Sequence, residues 1–60
     1  MTLLAALVLI EKTTVIEGEI TSIMLEDGSW NKFIFEKKCK KYFIDFSYST
    51  ITPLLKEITD

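Results

Sequence analysis

The densest chemistry in the chain lies between residues 32 and 41. Lys32, Lys37, Lys38, Lys40 and Lys41 share this stretch with a single acid, Glu36. Five cations against one anion give +4, and since the whole chain carries −2, the remaining positions hold −6. Aromatic rings interleave with the lysines: Trp30, Phe33, Phe35, Tyr42 and Phe43. A basic groove lined by rings is how single-stranded nucleic acid is held without sequence preference, ammonium groups meeting phosphates and rings meeting bases. The candidates for such a site are Lys32, Lys37, Lys38, Lys40, Lys41 and Tyr42, within a hairpin over residues 30–43. Lysines at a hairpin tip also have a plainer use, keeping a turn solvated and discouraging strand pairing at an edge. All seven cations are lysines. The bidentate fork with which arginine grips phosphate or guanine is therefore missing, and contacts made by lysines fade with salt.

The acids form a second constellation. Glu17, Glu19, Glu26 and Asp27 lie on or beside one expected hairpin, with Glu11 nearby in sequence. An acidic face can dock on a basic partner surface or imitate phosphate charge. Trp30 follows the same turn, and tryptophan is enriched where interfaces concentrate their binding energy. Glu17, Glu19, Glu26, Asp27 and Trp30 are the candidate residues for binding a protein partner. An ordinary wet sheet face has the same composition.

Catalysis finds little to work with. The chain has no histidine, which removes the commonest general base and the commonest metal ligand. Its one cysteine, Cys39, is flanked by four lysines that favour the thiolate. No histidine or second cysteine completes a nucleophilic site, and no internal disulfide is possible. There is no glycine-rich phosphate loop, metal-ligand spacing or nucleophile elbow. Paired carboxylates would need a cleft that raises one pKa, and so small a domain offers little room for one. No catalytic residue, cofactor or metal is expected, and the chain is read as a non-enzyme. The lone thiol points to a reducing compartment, the cytoplasm.

These residues must be positioned by a single domain over residues 1–60. Hydrophobic residues make up 48% of it and the mean hydropathy is +0.26. A chain of this length buries only about 60% of the surface its unfolded form exposes. Small domains are usually held by disulfides, a metal or association. With the first two unsupported by the residues present, a protein partner or a second copy of the chain is the expected companion, and a homo-oligomer fits the apolar surplus. The apolar run Leu3–Ile10 is far short of the roughly 20 residues of a membrane-spanning helix and lacks the flanks of a secretory signal. No membrane contact is expected.

The run Leu3–Ile10 suits either a helix capped by Thr2 or a strand covered on both faces. The strand is preferred because Val8, Leu9 and Ile10 lead into a β-rich stretch. Residues 13–26 are expected to form a long strand, bent at Gly18, with Ile16, Ile20 and Met24 on one face and Glu17, Glu19 and Thr21 on the other. Asp27-Gly28 predicts a type I′ hairpin turn, followed by a strand from Trp30 to Phe35. Residues 37–41 are expected to make a longer turn, since they lack glycine. Tyr42, Ile44, Phe46 and Tyr48 should share one face of the next strand. Thr52-Pro53 predicts the start of a short C-terminal helix in which Leu54 and Ile58 pack on the sheet.

The expected fold is α+β and β-rich. It is an antiparallel meander of three to four strands with a short C-terminal helix, closed as a small SH3-like or OB-like barrel or left as an open sheet. The expected function is that of a small protein-binding module, an inhibitor, regulator or accessory subunit of the viral or plasmid kind, which occludes or bridges a partner. The alternatives are single-stranded nucleic-acid binding through the lysine-rich hairpin and self-assembly as a structural protein.

Overall fold

A computed structural model describes residues 1–59. Helix α1 (Leu3–Thr13) comes first, followed by strands β1 (Ile20–Leu25), β2 (Lys32–Lys37), β3 (Lys40–Asp45) and β4 (Leu54–Ile58). The four strands form one antiparallel sheet in the order β1-β2-β3-β4. The sheet is open: β1 and β4 are its two edges and no barrel closes.

The apolar run 3–10 is a helix, which corrects the preference for a strand. Leucine and alanine dominate it, and both are strong helix formers. Its first turn is capped by Thr2, whose hydroxyl accepts from the Ala5 amide at 3.1 Å. At its far end the Thr13 and Thr14 hydroxyls donate to the Leu9 and Ile10 carbonyls, both at 2.7 Å. Ala6 and Ile10, one turn apart, are buried against Phe33, Phe35, Ile44 and Phe46. Phe33 and Phe46 meet edge to face with ring centroids 6.2 Å apart.

Register assigns every strand residue to a face. Phe33 and Phe35 pack in the core, so their cross-strand partners Leu25, Ile23, Ile44 and Tyr42 lie on the α1 side. The register of β1 against β2 slips between Ile20 and Ser22, leaving Thr21 as an extra, bulged residue. Ile20 and Ile23 therefore both pack on the core, while Met24 is carried to the opposite face. This corrects the expected grouping of Ile20 with Met24. The long strand over 13–26 is likewise reduced to residues 20–25, with a connection through Gly18 before it. Gly18 has φ +102°, and a Cβ there would stand 3.0 Å from the Lys38 Cγ.

The two hairpin turns exchange their expected characters. Lys38 and Cys39 alone join β2 to β3, with φ of 51° and 64°. Two positive φ values are the signature of the type I′ turn, here without glycine. Asp27-Gly28 instead sits inside a longer connection. Ser29 donates its amide to the Glu26 carbonyl at 3.1 Å, and only Gly28 of the central pair has positive φ, 76°, as in a type II turn. The Ser29 hydroxyl then accepts from the Asn31 and Lys32 amides at 3.3 and 3.0 Å.

The expected C-terminal helix is strand β4, and the one helix among the described residues is N-terminal. Thr52-Pro53 is a local helix-start signal, but β3 needs a partner along its outer edge. Residues 54–58 supply it, pairing from Asp45↔Leu54 to Lys41↔Ile58 without a register shift. Proline is tolerated just ahead of a strand's first residue.

Candidate functional site

The lysine-rich hairpin is not one surface. Lys37 is only 2% exposed. Its ammonium donates to the Ile16 carbonyl at 3.0 Å and lies 4.0 Å from a Glu11 carboxylate oxygen. It closes the end of the core beneath α1. Tyr42 is on the same side, stacked on Phe35 with centroids 5.3 Å apart and 22° between planes. Lys38, Lys40 and Lys41 are exposed around the turn, with Lys38 3.6 Å from Glu17. Lys32 sits at the other end of β2. Of the six candidates, Lys32 and Lys41 share the face turned away from α1, because their neighbours Phe33 and Tyr42 point the other way.

The acidic candidates are also divided. Glu17 and Glu19 precede β1, whereas Glu26 and Asp27 follow it. Six strand residues separate the two pairs, roughly 20 Å at strand rise. Trp30 shares the β1–β2 connection with Glu26 and Asp27. It is 70% exposed, and its carbonyl accepts from the Met1 amine at 3.1 Å.

What the fold does assemble is the outer face of the sheet. Met24, Ile34, Phe43 and Lys56 form one row straight across the four strands. Leu54 and Ile58 stand on either side of Lys56 along β4, since alternate strand residues share a face. Residues of opposite charge frame the row, facing each other across the strands: Lys32 opposite Asp45 at one end, Glu36 opposite Lys41 at the other. Met24, Leu54 and Ile58 are exposed, and Ile34 and Phe43 are half-buried by their neighbours. Ser22, Met24, Ile34 and Lys41 border a depression of about 240 Å³.

Asp45 belongs to this frame. The Ser47 amide donates to its carboxylate at 2.8 Å. Hydrogen bonds from the Ser47 hydroxyl and amide hold its pKa below the ordinary value of 3.8, helped by the charge of Lys32 and opposed by partial burial.

Of this face, sequence periodicity singles out Phe43, which alternates with Tyr42 and Ile44. Met24 is hidden by the bulge, and Leu54 and Ile58 by the helix-start signal ahead of them. Among the described residues no three of Cys, Asp and Glu converge as metal ligands, and no helix is long and apolar enough to cross a membrane. Comparison with known proteins finds no matching family model, no matching curated sequence and no matching solved structure.

Proposed function

We propose that the chain is a non-enzymatic protein-binding module that docks a partner on the outer face of its sheet. The observation that carries this reading is the row Met24–Ile34–Phe43, flanked by Leu54 and Ile58, on the side α1 leaves uncovered. Antiparallel sheets that face water usually alternate apolar-in with polar-out; this one carries an apolar patch on its outer side as well. An apolar centre framed by charged pairs is the general anatomy of an interface, the centre giving affinity and the rim orienting the encounter. Binding there would occlude or bridge the partner, as an inhibitor or accessory subunit does. The test is affinity capture with the wild-type chain and with Ile34→Lys and Phe43→Ser, each checked for folding by circular dichroism. A partner retained by the wild type and lost by both variants supports the reading. A partner retained equally by all three, or none retained by the wild type, ends it.

A second reading rests on one further observation: Lys32, Lys41 and Phe43 lie on that same face. A sheet face carrying one ring and, with Lys56, three ammonium groups is a minimal platform for single-stranded nucleic acid. Titration with single-stranded DNA and RNA at two salt concentrations tests it, followed by Trp30 fluorescence and a mobility-shift control. Salt-sensitive binding abolished by the double substitution Lys32→Ser and Lys41→Ser favours nucleic acid over protein.

A further inference from the structure

The two sheet edges differ, and the difference has a chemical content. A two-residue hairpin makes its flanking residues a hydrogen-bonded pair, here Lys37 and Lys40, and such pairs alternate along an antiparallel ladder. Residues 33, 35 and 37 of β2 therefore point their amides and carbonyls at β3, and 32, 34 and 36 point theirs at β1. The observed bonds agree: Glu26 donates to the Lys32 carbonyl at 2.8 Å, and Phe46 donates to the Asn31 carbonyl at 3.0 Å. Carried one strand further, the alternation commits Leu54, Lys56 and Ile58 to β3. It leaves the amide and carbonyl of Leu55 and of Glu57 pointing outward from the sheet.

Edge β1 is blunted. Its bulge at Thr21 breaks the ladder, and the Thr21 hydroxyl donates inward to the Glu36 carbonyl at 3.3 Å and carboxylate at 3.1 Å. Edge β4 carries no bulge and no internal proline, and all five of its residues are exposed. A regular edge without bulge or proline offers its outward amides and carbonyls to another strand.

We propose that β4 pairs antiparallel with β4 of a second copy of this chain, about a two-fold axis through Leu55, giving one continuous eight-stranded sheet. Two observations select a second copy and this register. The first is charge. A two-fold antiparallel pair must centre on a residue. Centring on Lys56 or Glu57 sets like charges directly opposite, which destabilises a sheet, whereas centring on Leu55 sets Leu55 against Leu55 and Leu54 against Lys56. The second is continuity of the core. Phe33, Ile44 and Leu55 form one row on the α1 side. The first two are fully buried, while Leu55 is 38% exposed, because the cover given by α1 ends before β4. The Leu55 of a second copy extends that row through the axis into the partner's own core.

Sedimentation velocity of the full chain tests the proposal. The wild type is expected to sediment as a dimer of the 6.9 kDa chain. Leu55→Lys should shift it to monomer while circular dichroism stays unchanged. Glu57→Pro removes an outward amide that no strand of the monomer uses, and should also give a folded monomer. Ile34→Lys, on the outer face and not paired with β4, should leave the dimer intact, which separates this site from the proposed partner surface. Register is read by oxidation in a Cys39→Ser background, where Leu55→Cys should cross-link and Lys56→Cys should not. A wild type that is monomeric at about 1 mM, a dimer that survives both Leu55→Lys and Glu57→Pro, or cross-linking at position 56 in place of 55 would overturn the proposal.

Discussion

The Lys37 ammonium donates to the main-chain carbonyl of Ile16 at 3.0 Å, across 21 positions of sequence. This one bond ties the strand that carries the cationic run to the connection leaving α1. It turns a residue of the most basic stretch into part of the core's end wall. Its stem supplies the packing that an apolar side chain would, and its charge is met by a carbonyl and, more distantly, by Glu11.

Lys37→Ala should cost about 2–3 kcal/mol, since it leaves a void and an unpaired carbonyl together. Lys37→Met keeps the volume and removes a buried charge but leaves the same carbonyl unpaired, and should cost about 1–2 kcal/mol, less than the alanine variant. Glu11→Gln should change little, because the pair is 4.0 Å apart and Glu11 is half exposed. Urea denaturation of the three variants ranks them. A methionine variant as unstable as the alanine variant would mean that the ammonium, not the stem, is what the site needs.

The β2–β3 turn should be improvable. Lys38 and Cys39 both occupy the left-handed region, which costs a side chain about 1–2 kcal/mol per residue. Asn-Gly fits the same turn without that strain. The double substitution Lys38→Asn and Cys39→Gly should stabilise the protein by about 1–2 kcal/mol, part of the relief being offset by the freedom glycine adds to the unfolded chain. Thermal unfolding should move up by about 4–8 °C per kcal/mol. No gain would show that the turn is strained only on paper.

Asp45 should make stability pH-dependent in acid. Its folded pKa lies below the ordinary 3.8 because Ser47 bonds the ionised form. The unfolded state therefore takes up the proton first as pH falls, so the Asp45 contribution is fully present above pH 3.8 and is lost below it, as pH falls through the folded value. The stability difference between the wild type and Asp45→Asn should be constant from neutral pH to about pH 5 and shrink in stronger acid. A difference that stays constant down to pH 2 would remove the Ser47 bond from the account.

Much of the β-sheet was legible because alternation reports faces directly. Phe33 with Phe35, and Tyr42 with Ile44 and Phe46, are on the side their spacing predicts, but Tyr48, expected on that same face, lies beyond β3 and is 85% exposed. What was illegible came from tertiary competition. Leu54–Ile58 carries a local helix-start signal, yet β3 offers it an open ladder, and the ladder prevails. Leu3–Ile10 satisfies helix and strand templates equally, and its alanine and leucine content, more than its neighbours, decides. The candidate sites dispersed for a related reason. Proximity in sequence placed Lys37 beside Lys38 and Tyr42 beside Lys41, while the two-residue period of a strand sends such neighbours to opposite faces. The outer face of the sheet needed Thr21 to be recognised as a bulge before Met24 could be placed on it.

That bulged threonine also sets the chain's tolerance to length change. Thr21 is one residue more than the alternation of β1 requires. With it removed, Ile20, Ser22, Ile23, Met24 and Leu25 fall into unbroken in-out order opposite Lys37 to Phe33. A single-codon deletion, which inverts every side chain on one side of the cut in an ordinary strand, would here preserve all facings. It would also straighten the edge that the bulge now blunts, so that the shorter protein would keep its core and expose a second strand to its neighbours.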